Sequence, residues 1–196
     1  MTNNKSSSKR KTKIPPSSKL KRPRKSRKNG KSFPLVCLGA SAGGLKAFEA
    51  FFSSLPEKSG IAFVVISHTD PDHASLLPDI LKRKCRIPIK DIQEGTVPDQ
   101  NTMYLPPSNM DAVVEEGRFH LKQRSKKLGL HMPIDAFLES LSREFGEKSG
   151  CVILSGTGTD GTHGLRLIKE AGGVSFAEAQ SSAGRPLCCS AICSTF

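Results

Sequence analysis

Three stretches of this chain leave no side for water: Pro34-Leu35-Val36-Cys37-Leu38, Ile61-Ala62-Phe63-Val64-Val65-Ile66 and Cys151-Val152-Ile153-Leu154. A strand that is apolar on both faces must be covered on both, as in a parallel sheet with helices packed against it. The segments between them fit that demand. Residues 43–55 and about 74–84, with Leu76, Leu77, Ile80 and Leu81 on one side, carry helical periodicity. Pro133 opens a further helix to about Phe145, because proline suits the first helical position and Asp135 favours the first turn. A helix from about Thr162 to Ala171 and a strand from Gly173 to Ala177 follow. Smaller strands are expected around Ile87 to Ile92, at 102–105, at 112–115 and at 119–123, the last two joined by a turn at Glu116-Gly117. Strands alternating with helices predict a doubly wound, mainly parallel α/β sheet with helices on both faces, a Rossmann-like three-layer domain. The 196 residues suffice for one such domain.

Ligands of such sheets sit beyond the carboxyl ends of the strands. The loops to search are therefore those after residues 38, 66 and 154, and they hold Ser41, His68 and Asp160. Ser41 lies in Gly39-Ala40-Ser41-Ala42-Gly43-Gly44, a strand-to-helix turn that raises a hydroxyl above a sheet, with backbone N–H groups at the helix start facing the oxygen it would attack. A hydroxyl is a weak nucleophile at neutral pH. It needs a base, here His68, and the base needs a carboxylate, here Asp160, to orient it and stabilise its cation.

Each residue also has a plainer reading. Small residues occur in such turns wherever a helix packs close to a sheet or a phosphate is cradled. Asp160 could simply cap the helix starting near Thr162. The run His68-Thr69-Asp70-Pro71-Asp72-His73 could be read as a metal cluster, but its prolines and tight spacing fit a polar loop in which Asp72 caps the next helix. Gly156-Thr157-Gly158-Thr159-Asp160-Gly161 satisfies a dinucleotide fingerprint and Glu178 supplies an acidic partner, yet only 18 residues follow Glu178, too few for the rest of a nucleotide domain. No cofactor and no metal are expected.

Charge divides the chain. Residues 1–32 hold 13 of the 30 Lys and Arg side chains and no Asp or Glu, leaving 17 basic against 18 acidic residues in the remainder. Almost devoid of apolar residues, this segment is expected to be a disordered basic tail, able to hold a polyanion electrostatically or to serve as a solvated tether. It has no apolar core of a secretory signal, and no run approaches the roughly 18 apolar residues that span a bilayer. The six cysteines form no CxxC pair; Cys37 and Cys151 fall in buried strands, and Cys188, Cys189 and Cys193 lack a fourth ligand at zinc spacing. A reducing, cytoplasmic setting is expected.

Four motifs in register carry a family resemblance: Gly39 to Gly44, Ser67 to His73, His131-Met132-Pro133-Ile134-Asp135, and Leu154 to Gly161. Over about residues 33–192 the chain resembles the catalytic domain of chemotaxis protein-glutamate methylesterases, above all the form fused to a receptor methyltransferase in hybrid signalling proteins. The resemblance implies a doubly wound fold and a triad of Ser41 as nucleophile, His68 as general base then acid, and Asp160 as orienting carboxylate. It places oxyanion donors at the backbone of Ala42 and Thr157, where many members carry Thr and Met. The implied reaction is hydrolysis of a receptor glutamate γ-methyl ester with release of methanol, together with deamidation of receptor glutamine. Implied partners are a methylated chemoreceptor and a methyltransferase or histidine kinase. Residues 33–196 are read as this domain with its C-terminus incomplete, since the usual closing strand and helix do not follow Arg185-Pro186-Leu187-Cys188-Cys189-Ser190-Ala191-Ile192, and no receiver domain precedes it. The alternative expectation is a catalytically disabled fragment that binds a receptor or a polyanion.

Overall fold

The computed structural model describes residues 33–40, 45–67, 77–124, 131–154 and 159–177. In chain order the elements are β1 (Leu35–Ala40), α1 (Leu45–Ser53), β2 (Ala62–Ser67), α2 (Leu77–Lys84), β3 (Ile89–Asp91), β4 (Met103–Leu105), β5 (Met110–Glu115), β6 (Arg118–Gln123), α3 (Pro133–Phe145), β7 (Ser149–Leu154), α4 (Thr162–Glu170) and β8 (Val174–Ala177). Six strands form one sheet in the order β3-β4-β2-β1-β7-β8, and every pairing in it is parallel. The three doubly apolar runs are β1 and its two neighbours, β2 and β7, all interior to the sheet. The expected strand at Ile87 to Ile92 shortens to β3, with Ile87 and Ile92 buried on either side of it.

The sheet's side chains alternate between two cores, as a period of two requires. Val36, Leu38, Phe63, Val65, Met103, Leu105, Val152 and Leu154 face α1 and α2. There Phe51 meets Phe52 and Phe63 edge to face, at ring centroids 5.2 and 6.2 Å apart. Burying one such ring contributes about 2–3 kcal/mol. Leu35, Cys37, Ala62, Val64, Ile66, Tyr104 and Cys151 face the other way, onto α3 and α4. The apolar stripe of α3, Ile134, Phe137, Leu138, Leu141 and Phe145, covers this side, at the spacing of one helical face.

The strands β5 and β6 form a separate antiparallel hairpin rather than joining the sheet. Glu116 and Gly117 both have positive φ, 48° and 76°, the geometry of a tight hairpin turn whose twist suits its strands. The hairpin contributes Ala112, Val114 and Phe119 to the α3 side of the core. A buried serine fastens it: the Val114 N–H donates to Ser140 Oγ at 3.0 Å, and that hydroxyl donates to the Phe137 carbonyl at 2.7 Å.

The helices α3 and α4 meet where Gly164 faces Leu138. A Cβ added at Gly164 would stand 2.5 Å from Leu138 Cβ and 2.6 Å from its Cδ1. Gly164→Ala is therefore expected to cost about 1–3 kcal/mol by overpacking, read as a lower unfolding free energy in urea. In the Leu138→Ala background the same change should cost only part of that, because the contacts with Cγ and Cδ1 go while the one with the Leu138 Cβ position, at 2.5 Å, stays.

Candidate active site

The connections run to one side of β1 for β2 and to the other for β7. Loops leaving the carboxyl ends of strands at such a reversal open a crevice. The register is level there: Ala40, the last residue of β1, pairs with Ser67, the last of β2, and with Leu154, the last of β7. Ser41, His68 and the loop containing Thr157 thus follow three neighbouring strand ends, spaced about 4.8 Å from one to the next. Ser41, Ala42, His68 and Thr157 themselves lie outside the described residues, as do the basic tail 1–32, the rest of the His68–His73 run, Glu178, and Cys188, Cys189 and Cys193.

Asp160 is described, and both oxygens of its carboxylate accept from backbone. Its Oδ2 accepts the Ile134 N–H at 3.0 Å and its Oδ1 accepts the Asp135 N–H at 2.9 Å. Pro133, the first residue of α3, has no N–H to offer, so Asp160 takes the first two donors that the helix presents. The plainer reading of Asp160, as the cap of the helix that follows it, does not hold. The residue at the start of its own helix is Gly161, at φ 94°, and α4 has no side-chain cap; a left-handed residue there departs from the extended geometry that capping side chains require. Asp160 instead caps α3, where the capping position is held by Met132 and supplies no side-chain bond. The positive end of α3 attracts its negative charge.

The exchange runs in both directions. Asp135, the third residue of α3, accepts the Gly164 N–H in the first turn of α4 at 2.7 Å. Two apolar side chains close the junction beneath. A Cβ at Gly39 would lie 2.8 Å from Ile153 Cδ1 and 3.0 Å from Ile134 Cγ2; one at Gly161 would lie 2.9 and 3.1 Å from the same two atoms. The penultimate residue of β1, the start of α3 and the start of α4 therefore touch across Ile134 and Ile153. Gly161 is required twice over, by its positive φ and by this contact, so packing accounts for the glycine that closes the dinucleotide-like loop.

Two thiols lie under this junction. Burial pushes Cys37 well above the ordinary thiol value, with further increments from Cys151 and from the Asp160 carboxylate. Cys151, level with Cys37 in the sheet, is raised chiefly by burial and then by Asp135. Both stay protonated at neutral pH and serve as core packing, not as nucleophiles.

Beside the carboxyl end of β2, a shallow cleft is lined by Ser67, Leu77, Leu105, Pro106, Ser108 and Arg124. Arg124 Nε stands 3.4 Å from Asp111 Oδ1, and His131 Nε2 is 2.9 Å from both Asp111 oxygens. This trio ties the hairpin to the segment that enters α3. Among the described residues no three His, Cys, Asp or Glu side chains are grouped to hold a metal ion, and no helix is long and apolar enough to cross a membrane.

A family model described as CheB methylesterase matches residues 36–192. The chain belongs to the CheB methylesterase family. Its fold is that of the family: the crystal structure of the Thermotoga maritima CheB methylesterase catalytic domain superposes with a TM-score of 0.68 at 26% identity, covering 78% of this chain and 83% of that one. A Methanosarcina acetivorans protein named protein-glutamate methylesterase/protein-glutamine glutaminase 2 is 31% identical over 156 residues, 76% of this chain and 44% of its own length. A Methanosarcina barkeri protein of the same kind is 30% identical over 168 residues, 81% of this chain and 46% of its own length. The chain thus spans less than half the length of these two curated relatives. The family assignment covers the CheB-type core from β1 through β8.

Sequence reading missed the roles of Ile134 and Asp135 in holding Asp160. A signal was present: α3 begins at a proline with methionine, not Ser, Thr, Asp or Asn, before it. Such a helix must find its cap elsewhere in the chain.

Proposed function

We propose that the chain hydrolyses glutamate γ-methyl esters on a chemotaxis-type receptor, through Ser41, His68 and Asp160. The observation that carries this reading is the Asp160 carboxylate, held by two backbone N–H bonds at the carboxyl edge of the sheet, in a chain of the CheB methylesterase family. An ionised carboxylate has about four lone-pair sites, so it can serve a side-chain donor as well as the two backbone N–H groups. A histidine N–H from the loop after β2 is the natural claimant.

In this mechanism Ser41 Oγ attacks the ester carbonyl carbon while His68 takes its proton. The oxyanion is held by the backbone N–H groups of Ala42 and Thr157, each worth about 3–4 kcal/mol of barrier. The C–O bond to the methoxy group breaks, His68 returns the proton, and methanol leaves an acyl-enzyme. Water, deprotonated by His68, then attacks the acyl carbon, regenerating Ser41 and a receptor glutamate. A glutamine side chain passes through the same intermediates with ammonia as leaving group. Substrate side chains would approach through the cleft bordered by Ser67 and Arg124. The working setting in this reading is the cytoplasm, beside a receptor and its methyltransferase or kinase, with residues 1–32 able to add weak attraction to polyanions.

The test is methanol release from a chemoreceptor signalling segment bearing radiolabelled methyl esters. Repeated turnover is expected, with slower ammonia release from receptor glutamine. A folded chain that releases neither would overturn the esterase reading and leave a receptor-binding module in its place.

A further inference from the structure

We infer that Asp135 is a positioning residue for the Asp160 carboxylate: it locks the first turn of α4 to the first turn of α3, so that the segment from Asp160 to Gly164 is held at both ends by one helix start. This rests on the esterase reading above and assigns to that site a residue outside the triad.

The geometry is a closed circuit. Asp160 Oδ1 and Oδ2 accept from Asp135 N and Ile134 N at 2.9 and 3.0 Å. The Asp135 side chain, on the same residue that donates one of those bonds, accepts from Gly164 N at 2.7 Å. Three residues separate Asp160 from Gly164, and Gly161 among them sits at φ 94° against Ile134 and Ile153. Asp160 is thus fixed through its own side chain and, a turn later, through its backbone, both times to the first turn of α3. Gly164 has no Cβ, and Leu138 fills the space one would need, so α4 lies close enough for this bond to form. Without the Asp135 carboxylate, the Gly164 N–H at the start of α4 loses its acceptor, and the backbone that follows Asp160 loses its tie to α3. The general base that Asp160 orients is sensitive to such slack, because catalytic geometry must hold within a fraction of an ångström.

The substitution Asp135→Ala removes the acceptor, whereas Asp135→Asn keeps an oxygen that can accept the Gly164 N–H. In methanol release under saturating receptor, Asp135→Ala is expected to lower kcat about 10- to 100-fold with KM little changed, and Asp135→Asn to restore most of it. Circular dichroism and thermal unfolding, measured alongside, establish that each variant is folded at the assay temperature. The deciding readout is the double variant. If Asp135 acts through Asp160, adding Asp135→Ala to Asp160→Ala costs nothing further in kcat. Multiplying losses in the double variant, or a folded Asp135→Ala with unchanged kcat, would overturn the inference. Failure of the esterase reading looks different: either the unsubstituted folded chain releases no methanol, or Ser41→Ala and Asp160→Ala leave its release intact.

Discussion

Ser41→Ala is expected to reduce methanol release by about 10⁵-fold, close to the level of receptor without enzyme. Removing the hydroxyl removes the atom that becomes part of the acyl-enzyme, so no rearrangement of neighbours compensates. Binding to the methylated receptor should survive, because the ester would still be seated by the cleft and by whatever backbone donors hold its carbonyl. The two consequences separate a hydrolase from a binding module. Thermal unfolding of the variant, run beside the kinetics, checks that the domain is intact; retained turnover by a folded Ser41→Ala chain would move the nucleophile elsewhere.

Asp160→Ala is expected to lose on two counts. If it orients the base as proposed, its removal should lower kcat about 10³- to 10⁴-fold. As the cap of α3 it also accepts two backbone N–H bonds, from Ile134 and Asp135. Bonds to a charged acceptor are worth about 1.5–3 kcal/mol each when buried, and at this partly exposed site about 2–4 kcal/mol in all is expected to disappear from the unfolding free energy. Urea titration gives the second quantity and single-turnover methanol release the first. Asp160→Asn should recover part of the stability, since its oxygen still satisfies one of the two donors, but little of the rate. A variant that lost activity with no loss of stability would contradict the capping geometry.

The sheet was legible because burial on both faces leaves a composition nothing else explains. Leu35, Val36, Cys37 and Leu38 point alternately into two cores, so the strand shows no polar alternation and reads as central. The bounds of α3 were equally plain, with Pro133 at its start and Gly146 after its end. What the sequence did not disclose was pairing between distant segments. Nothing in Met103-Tyr104-Leu105 announces that it inserts between β2 and β3, because strand order is set by which crossovers fit over the sheet. The hairpin of β5 and β6 was recognisable from its turn, but its packing onto α3 through Ser140 was not, since a serine within a helix usually faces water.

The site shows the same division. Strand ends at Ala40, Ser67 and Leu154 could be inferred to converge, and the register makes them level. The partner of Asp160 could not be read from its neighbours in sequence, where the adjacent helix start at Thr162 was the obvious candidate. Tertiary contact overrode proximity: Ile134 and Ile153, seated against Gly39 and Gly161, bring α3 close enough to claim the carboxylate.

The most direct test of the account is covalent labelling with a fluorophosphonate, which transfers its phosphonyl group to an activated serine oxygen with loss of fluoride. The tryptic segment between Lys31 and Lys46 contains both Ser32 and Ser41, and fragment masses tell them apart. The account predicts one phosphonyl group on Ser41, formed in step with loss of methanol release and absent from the His68→Ala variant. Labelling of another serine, or methanol release that continues after Ser41 is fully modified, would contradict it.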